Sequence, residues 1–123
     1  MKLSSAQASA VKAWGEGDVC VIAGPGSGKT TVLVERFRWL VEEKGISPAE
    51  ILAITFTEKA ANNMLERLTG NRALSGSAPP AGSAGPLYQT AQILTIDAFC
   101  ARLLREHALP AGLDPNFQIL ETW

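Results

Sequence analysis

Residues 23–30 read Ala-Gly-Pro-Gly-Ser-Gly-Lys-Thr, a spacing suited to holding a triphosphate. Gly24, Gly26 and Gly28 let the chain turn tightly and aim backbone N–H groups at phosphate oxygens. Lys29 brings a cation to the β- and γ-phosphates, and Thr30 offers a hydroxyl to Mg²⁺. Ala23 stands where the pattern has a glycine and is small enough to fit. The expected nucleotide-contacting run is Ala23, Gly24, Pro25, Gly26, Ser27, Gly28, Lys29, Thr30 and Thr31, with Lys29 and Thr30 carrying the chemistry.

Such a loop needs a strand behind it and a helix after it, whose positive dipole end faces the anion. Residues 18–23 (Asp-Val-Cys-Val-Ile-Ala) form a β-branched run that reads as a buried parallel strand. Residues 31–44 carry Leu33, Phe37, Leu40 and Val41 at helical spacing, and Gly45 is a natural stop. Upstream, residues 4–14 read as a helix with Ser4 and Gln7 in capping-box positions, ended by the glycines at 15 and 17. Downstream, Ser47-Pro48-Ala49-Glu50 reads as one capped turn and residues 51–55 as a strand. Residues 58–68 read as a helix with Ala61, Met64, Leu65 and Leu68 inward. A third strand is expected at 93–96. A helix capped by Asp97 should follow to His107, with Phe99, Cys100, Leu103 and Leu104 inward, and a fourth strand at 117–120. Strands alternating with helices predict an α/β fold, a parallel sheet flanked by helices. Residues 75–86 are Pro/Gly-rich and uncharged, and are expected to form a flexible loop.

Thr55-Phe56-Thr57 stands at the carboxyl end of a predicted strand, where open α/β sheets place ligands. Two readings stay open there. Hydroxyls and a helix N-terminus bind a phosphodiester while the ring stacks on a base, or Phe56 is buried and Thr57 is only a helix cap.

Four stretches together resemble the first RecA-like domain of UvrD/Rep-type superfamily 1 DNA helicases. Leu3-Ser-Ser-Ala-Gln7 is similar to the family's Q motif, residues 23–30 to motif I, Ile54-Thr-Phe-Thr-Glu-Lys-Ala-Ala61 to motif Ia, and Thr95 through Arg105 to motif Ib. The segment through Leu113-Asp-Pro-Asn-Phe117 looks most like the AddA/RecB branch of helicase–nucleases. The resemblance implies a P-loop NTPase fold, with residues 1–123 as the N-terminal part of an ATP-binding helicase domain. It implies that Gln7 reads the adenine of ATP, and that residues 26–30 hold the phosphates with Mg²⁺. Thr55, Phe56, Thr57 and Ala60 would line a single-strand DNA track that Thr95 and Phe99 extend. Implied partners are single-stranded DNA, a second RecA-like domain and a nuclease subunit. Two departures stand out: Thr31 replaces a common arginine, and Asp97 stands where a histidine is frequent.

Phosphoryl transfer also needs an acid for Mg²⁺, a group that orients water and an arginine finger. The family draws these from its Asp-Glu-x-Gln motif onward, and residues 1–123 contain no such motif. The expectation is the front piece of a longer ATP-driven DNA translocase, a piece that holds nucleotide weakly and does not turn it over. A small P-loop kinase, or a module that only binds ATP and DNA, is the alternative. Composition is that of an ordinary soluble chain, 46% hydrophobic and 19% charged with net charge −1, so DNA contact must come from a local patch. With no apolar run near ~20 residues and no signal-peptide pattern, a cytoplasmic protein without a membrane span is expected. Cys20 and Cys100 read as buried reduced thiols, and Trp14, Trp39 and Trp123 as isolated aromatics. His107 reads as a surface residue in a last helical turn.

Overall fold

The computed structural model describes residues 3–15, 17–70 and 87–120. The loop expected at 75–86 and the last three residues lie outside these. Among the described residues, four helices and two strands follow the order α1 (Ser5–Lys12), α2 (Lys29–Glu42), β1 (Leu52–Thr55), α3 (Glu58–Thr69), β2 (Gln92–Thr95) and α4 (Ile96–Glu106). A single 3-10 turn, Pro48–Glu50, leads into β1 and carries the expected reciprocal cap between Ser47 and Glu50.

β1 and β2 pair in parallel, with Leu52 opposite Gln92 and Thr55 opposite Thr95. The pair and the helix α3 between them make the predicted βαβ unit. Strand periodicity divides the sheet: Ala53, Ile51, Ala91 and Ile93 pack toward the core, while Leu52 and Ile54 stay exposed. The core lies between that inner face and the helices α2 and α3. Val34, Phe37, Val41, Met64, Leu68 and Tyr88 form it.

The expected helices are present, with some residues expected inward turned out. The helix α2 starts at Lys29 rather than Thr31, and it buries Val32, Val34, Phe37 and Val41 while Leu33 stays exposed. The helix α1 ends at Lys12, short of Trp14. In α3, Ala61, Met64 and Leu68 are buried and Leu65 faces out. In α4 only Ala101 is buried: Leu103, Leu104 and Cys100 are exposed and Phe99 is half-buried. Its cap is Thr95, whose hydroxyl accepts from the Ala98 N–H, so Asp97 lies in the first turn. His107 closes α4 and is exposed. Beside it, the Arg102 guanidinium hydrogen-bonds Glu106 and holds its carboxyl below the usual carboxylate range.

Two strand expectations fail for one reason. Residues 18–23 and 117–120 run without a ladder because β1 and β2 pair only with each other. Val19, Val21 and Ile22 are consequently exposed, and so is Cys20, which overturns the buried-thiol reading for both cysteines. Among the described residues, no helix is long and apolar enough to cross a membrane.

Two arginines of α2 bind the carbonyl ends of its neighbours. Arg38 donates to the Arg67 carbonyl near the end of α3, and Arg36 to carbonyls at the end of α1. Each places a cation at the negative end of a helix dipole, where it is favourable.

Candidate nucleotide and nucleic-acid site

The candidate phosphate loop turns on its own atoms. Ser27 donates its N–H and its hydroxyl to the Gly24 carbonyl, at 3.4 and 2.7 Å. Gly26 and Gly28 take φ of +72° and +85°, the left-handed region that glycine tolerates without strain. Gly28 is the N-cap of α2 and supplies no side-chain cap. The first-turn N–H groups of a helix have no intrahelical acceptor, so the α2 terminus presents donors and a positive dipole end beside the loop. Lys29 folds back, donating from Nζ to the carbonyls of Ala23 (2.9 Å) and Gly24 (2.7 Å). Its charge is thereby held over the loop. Around Gly24 and Gly26 no atom lies within 4 Å of where a Cβ would stand. Open space, uncapped helix donors and a positioned cation fit a phosphate chain. Thr30, at the second position of α2, is exposed, and its hydroxyl suits Mg²⁺ carried in on phosphates.

Gln7 is at the third position of α1 and bridges two elements. Its Oε1 accepts from the Ser4 N–H at 2.8 Å, completing the capping box, and its Nε2 donates to the Ser27 carbonyl at 3.0 Å. A Cβ on Gly28 would come within 2.9 Å of that same Nε2. Capping and contact with the loop are therefore simultaneous roles of one side chain.

Several positioning residues escaped the sequence reading. Arg36 Nη1 lies 2.9, 3.2 and 2.8 Å from the carbonyl oxygens of Ala10, Val11 and Ala13. Trp14 and Trp39 meet edge to face at 6.1 Å, with Lys44 Nζ over both rings at 5.3 and 4.9 Å. The available signal for Arg36 was its place four residues after Val32 and four before Leu40, a cation inside an apolar stripe.

At the end of β1, Phe56 is 89% exposed, which rules out its burial. Thr57 accepts at its hydroxyl from the Ala60 N–H and caps α3, and the Thr55 hydroxyl donates to the Thr57 carbonyl at 3.0 Å. Thr57 and Ala60 are exposed beside Phe56. Thr95 differs from them. It is only 6% exposed, and its hydroxyl both caps α4 and donates to Glu58 Oε1 at 3.1 Å. The structure thus ties the starts of α3 and α4 together through a threonine that was expected to face outward.

A glycine-rich loop at a helix N-terminus and an exposed aromatic at a strand end thus stand on one small α/β unit. Residues 3–122 match the UvrD/REP helicase N-terminal domain, and the chain belongs to that family. It is similar to the ATP-dependent DNA helicase PcrA of Staphylococcus epidermidis strain RP62A and of Staphylococcus aureus strains Mu50 and NCTC 8325. Each is 38% identical over 122 residues, covering 97% of this chain. The chain spans 14% of the length of these relatives.

Proposed function

We propose that this chain is the ATP-binding portion of an ATP-dependent DNA helicase, a RecA-like P-loop unit that works with a second such domain on single-stranded DNA. The observation that carries the reading is the phosphate loop at the uncapped N-terminus of α2 with Lys29 folded over it. Family membership and the PcrA relatives support it over the small-kinase alternative.

In this reading the loop N–H groups and Lys29 bind the phosphates, Thr30 holds Mg²⁺, and Gln7 faces the adenine. Ala23, Pro25 and Thr31 shape the loop's entrance and exit. ATP, when bound, supplies the phosphoanhydride whose hydrolysis drives movement along DNA. Phe56 offers a ring to a base, and Thr55, Thr57 and Ala60 flank the backbone path, with Phe99 extending it. Thr95 shapes that path by holding Glu58 rather than by touching DNA. The Leu113-Asp-Pro-Asn-Phe117 segment supports placement near the AddA/RecB branch, hence a role in recombination or repair, a nuclease partner and a cytoplasmic location.

The chain by itself is expected to bind ATP·Mg²⁺ weakly and hydrolyse it negligibly. Calorimetric titration should show binding that Lys29→Ala reduces at least tenfold, because charge-assisted phosphate contacts are worth about 1.5–3 kcal/mol. Equal affinity in the two proteins would overturn the site. Hydrolysis well above background that vanishes in Lys29→Ala would overturn the binding-only part.

A further inference from the structure

The helix α1 is eight residues long and buries only Val11. A helix that short is marginal alone and takes its position from tertiary ties. Its N-terminal half carries Gln7, whose amide reaches the Ser27 carbonyl of the phosphate loop. Its other end is gripped by Arg36, one nitrogen of which faces three carbonyl oxygens within 3.2 Å. Two N–H bonds shared among three acceptors make a forked contact that fixes both the tilt and the advance of α1 along α2. Gln7 and Ala10 are one turn apart, roughly 4.5 Å along the axis, so little slack separates grip and amide. The Trp14–Trp39 edge contact, with Lys44 over both rings, closes the same end of the helix.

We propose that Arg36 is the positioning residue for Gln7: by holding the carboxyl end of α1 on α2 it seats the Gln7 amide against the phosphate loop, and so sets the base selectivity of the nucleotide site. This rests on the nucleotide reading above. Among the described residues, the hydrogen bonds of Arg36 go to the carbonyls of Ala10, Val11 and Ala13 and not to the loop. Its loss should leave phosphate binding through Lys29 and the α2 terminus intact, while the purine-reading group loses its place.

The test compares the full chain with Arg36→Gln, Arg36→Lys, Gln7→Ala and the Arg36→Gln/Gln7→Ala pair, each titrated with ATP, GTP and inorganic tripolyphosphate. Expected for Arg36→Gln is an ATP affinity about three- to tenfold lower, the worth of one ordinary hydrogen bond, with tripolyphosphate unchanged and the ATP/GTP ratio collapsed. Arg36→Lys, which keeps the charge beside the carbonyls, should recover part of that ratio. Trp14→Leu loosens the same tether from its other side and should shift the ratio the same way, which guards against a folding defect peculiar to Arg36→Gln. The double variant should lose no more than Gln7→Ala alone. An unchanged ATP/GTP ratio, or losses that multiply in the double variant, would overturn the proposal. Should the parent chain bind none of the three probes, the nucleotide reading fails by itself. The tether is then decided by the Gln7 side-chain amide in NMR spectra, assigned with Gln7→Ala. A shift toward free-amide values in Arg36→Gln sustains it, and an unmoved signal rejects it.

Discussion

Phe56 exposes an aromatic ring almost completely. Its neighbours are all committed: the Thr55 hydroxyl donates to Thr57, and the Thr57 hydroxyl caps α3. Polar ends held by backbone and a ring left to solvent suit stacking on a base. Phe56→Ala should therefore weaken single-stranded DNA binding by roughly 1–3 kcal/mol while nucleotide affinity stays fixed. Fluorescence anisotropy with a labelled oligonucleotide, read beside an ATP titration, checks both halves; equal DNA affinity would count against the stacking role. At this scale the sequence was informative wherever a residue's role is local. The Ser4–Gln7 box and the Ser47–Glu50 turn follow from spacings of three residues and are found in place, and the glycine loop leads directly into α2 as its spacing requires. The exposure of Phe56 was not legible, because whether a ring at a strand end is covered depends on elements remote in the chain.

Helices were legible as elements and, in α2 and α3, mostly as faces: Phe37, Val41, Ala61, Met64 and Leu68 are buried as expected, whereas Leu33, Leu65 and the expected inner face of α4 are not. Leu33 and Leu65 fall on a helical stripe as well as their buried neighbours do, yet the sheet beneath α2 and α3 receives Val34, Phe37, Met64 and Leu68 instead. The strand expected at 18–23 had the right composition and found no ladder, since a strand is a property of two chains of hydrogen bonds rather than of one segment. The cap of α4 shows the same dependence. Asp97 and Thr95 are both good N-cap residues, and the parallel pairing that ends at Thr95 decides for the threonine. Because the Thr95 hydroxyl is buried and also donates to Glu58, Thr95→Val should cost about 1–2 kcal/mol. Thr57→Ala, at an exposed cap, should cost about 1 kcal/mol or less. Urea midpoints at constant slope would show the order; a Thr95→Val cost below that of Thr57→Ala would mean the link to Glu58 carries no stability.

The whole molecule is closed by Tyr88, which enters the core between α2 and the inner face of the sheet and has no exposed surface. Its ring meets Phe37 edge to face at 6.1 Å, and its hydroxyl donates to Glu42 Oε1 at 2.7 Å. Burial, then the hydrogen bond and the charge of Glu42, push the phenol up to about 12 against the nearby pull of Arg38. An ionised Tyr88 would face a carboxylate with no donor left to offer it, so the fold favours the neutral ring. That preference is present in full below the unfolded value near 10 and is lost as pH rises from there through 12. The raised value corresponds to roughly 3 kcal/mol of stability that alkaline conditions remove. Tyr88 is the chain's single tyrosine, so tyrosinate absorbance reports it alone. The folded chain should ionise near pH 12 and the urea-unfolded chain near pH 10. Tyr88→Phe should cost about 1 kcal/mol at neutral pH through the lost bond to Glu42. The difference between parent and variant should then shrink as pH climbs past 10 and reverse in sign before 12, because the parent alone loses stability there and loses more than the bond to Glu42 supplies. A folded-state midpoint at 10, or a parent–variant difference that holds constant across that range, would show that Tyr88 is not sealed into the core that joins α2 to the sheet.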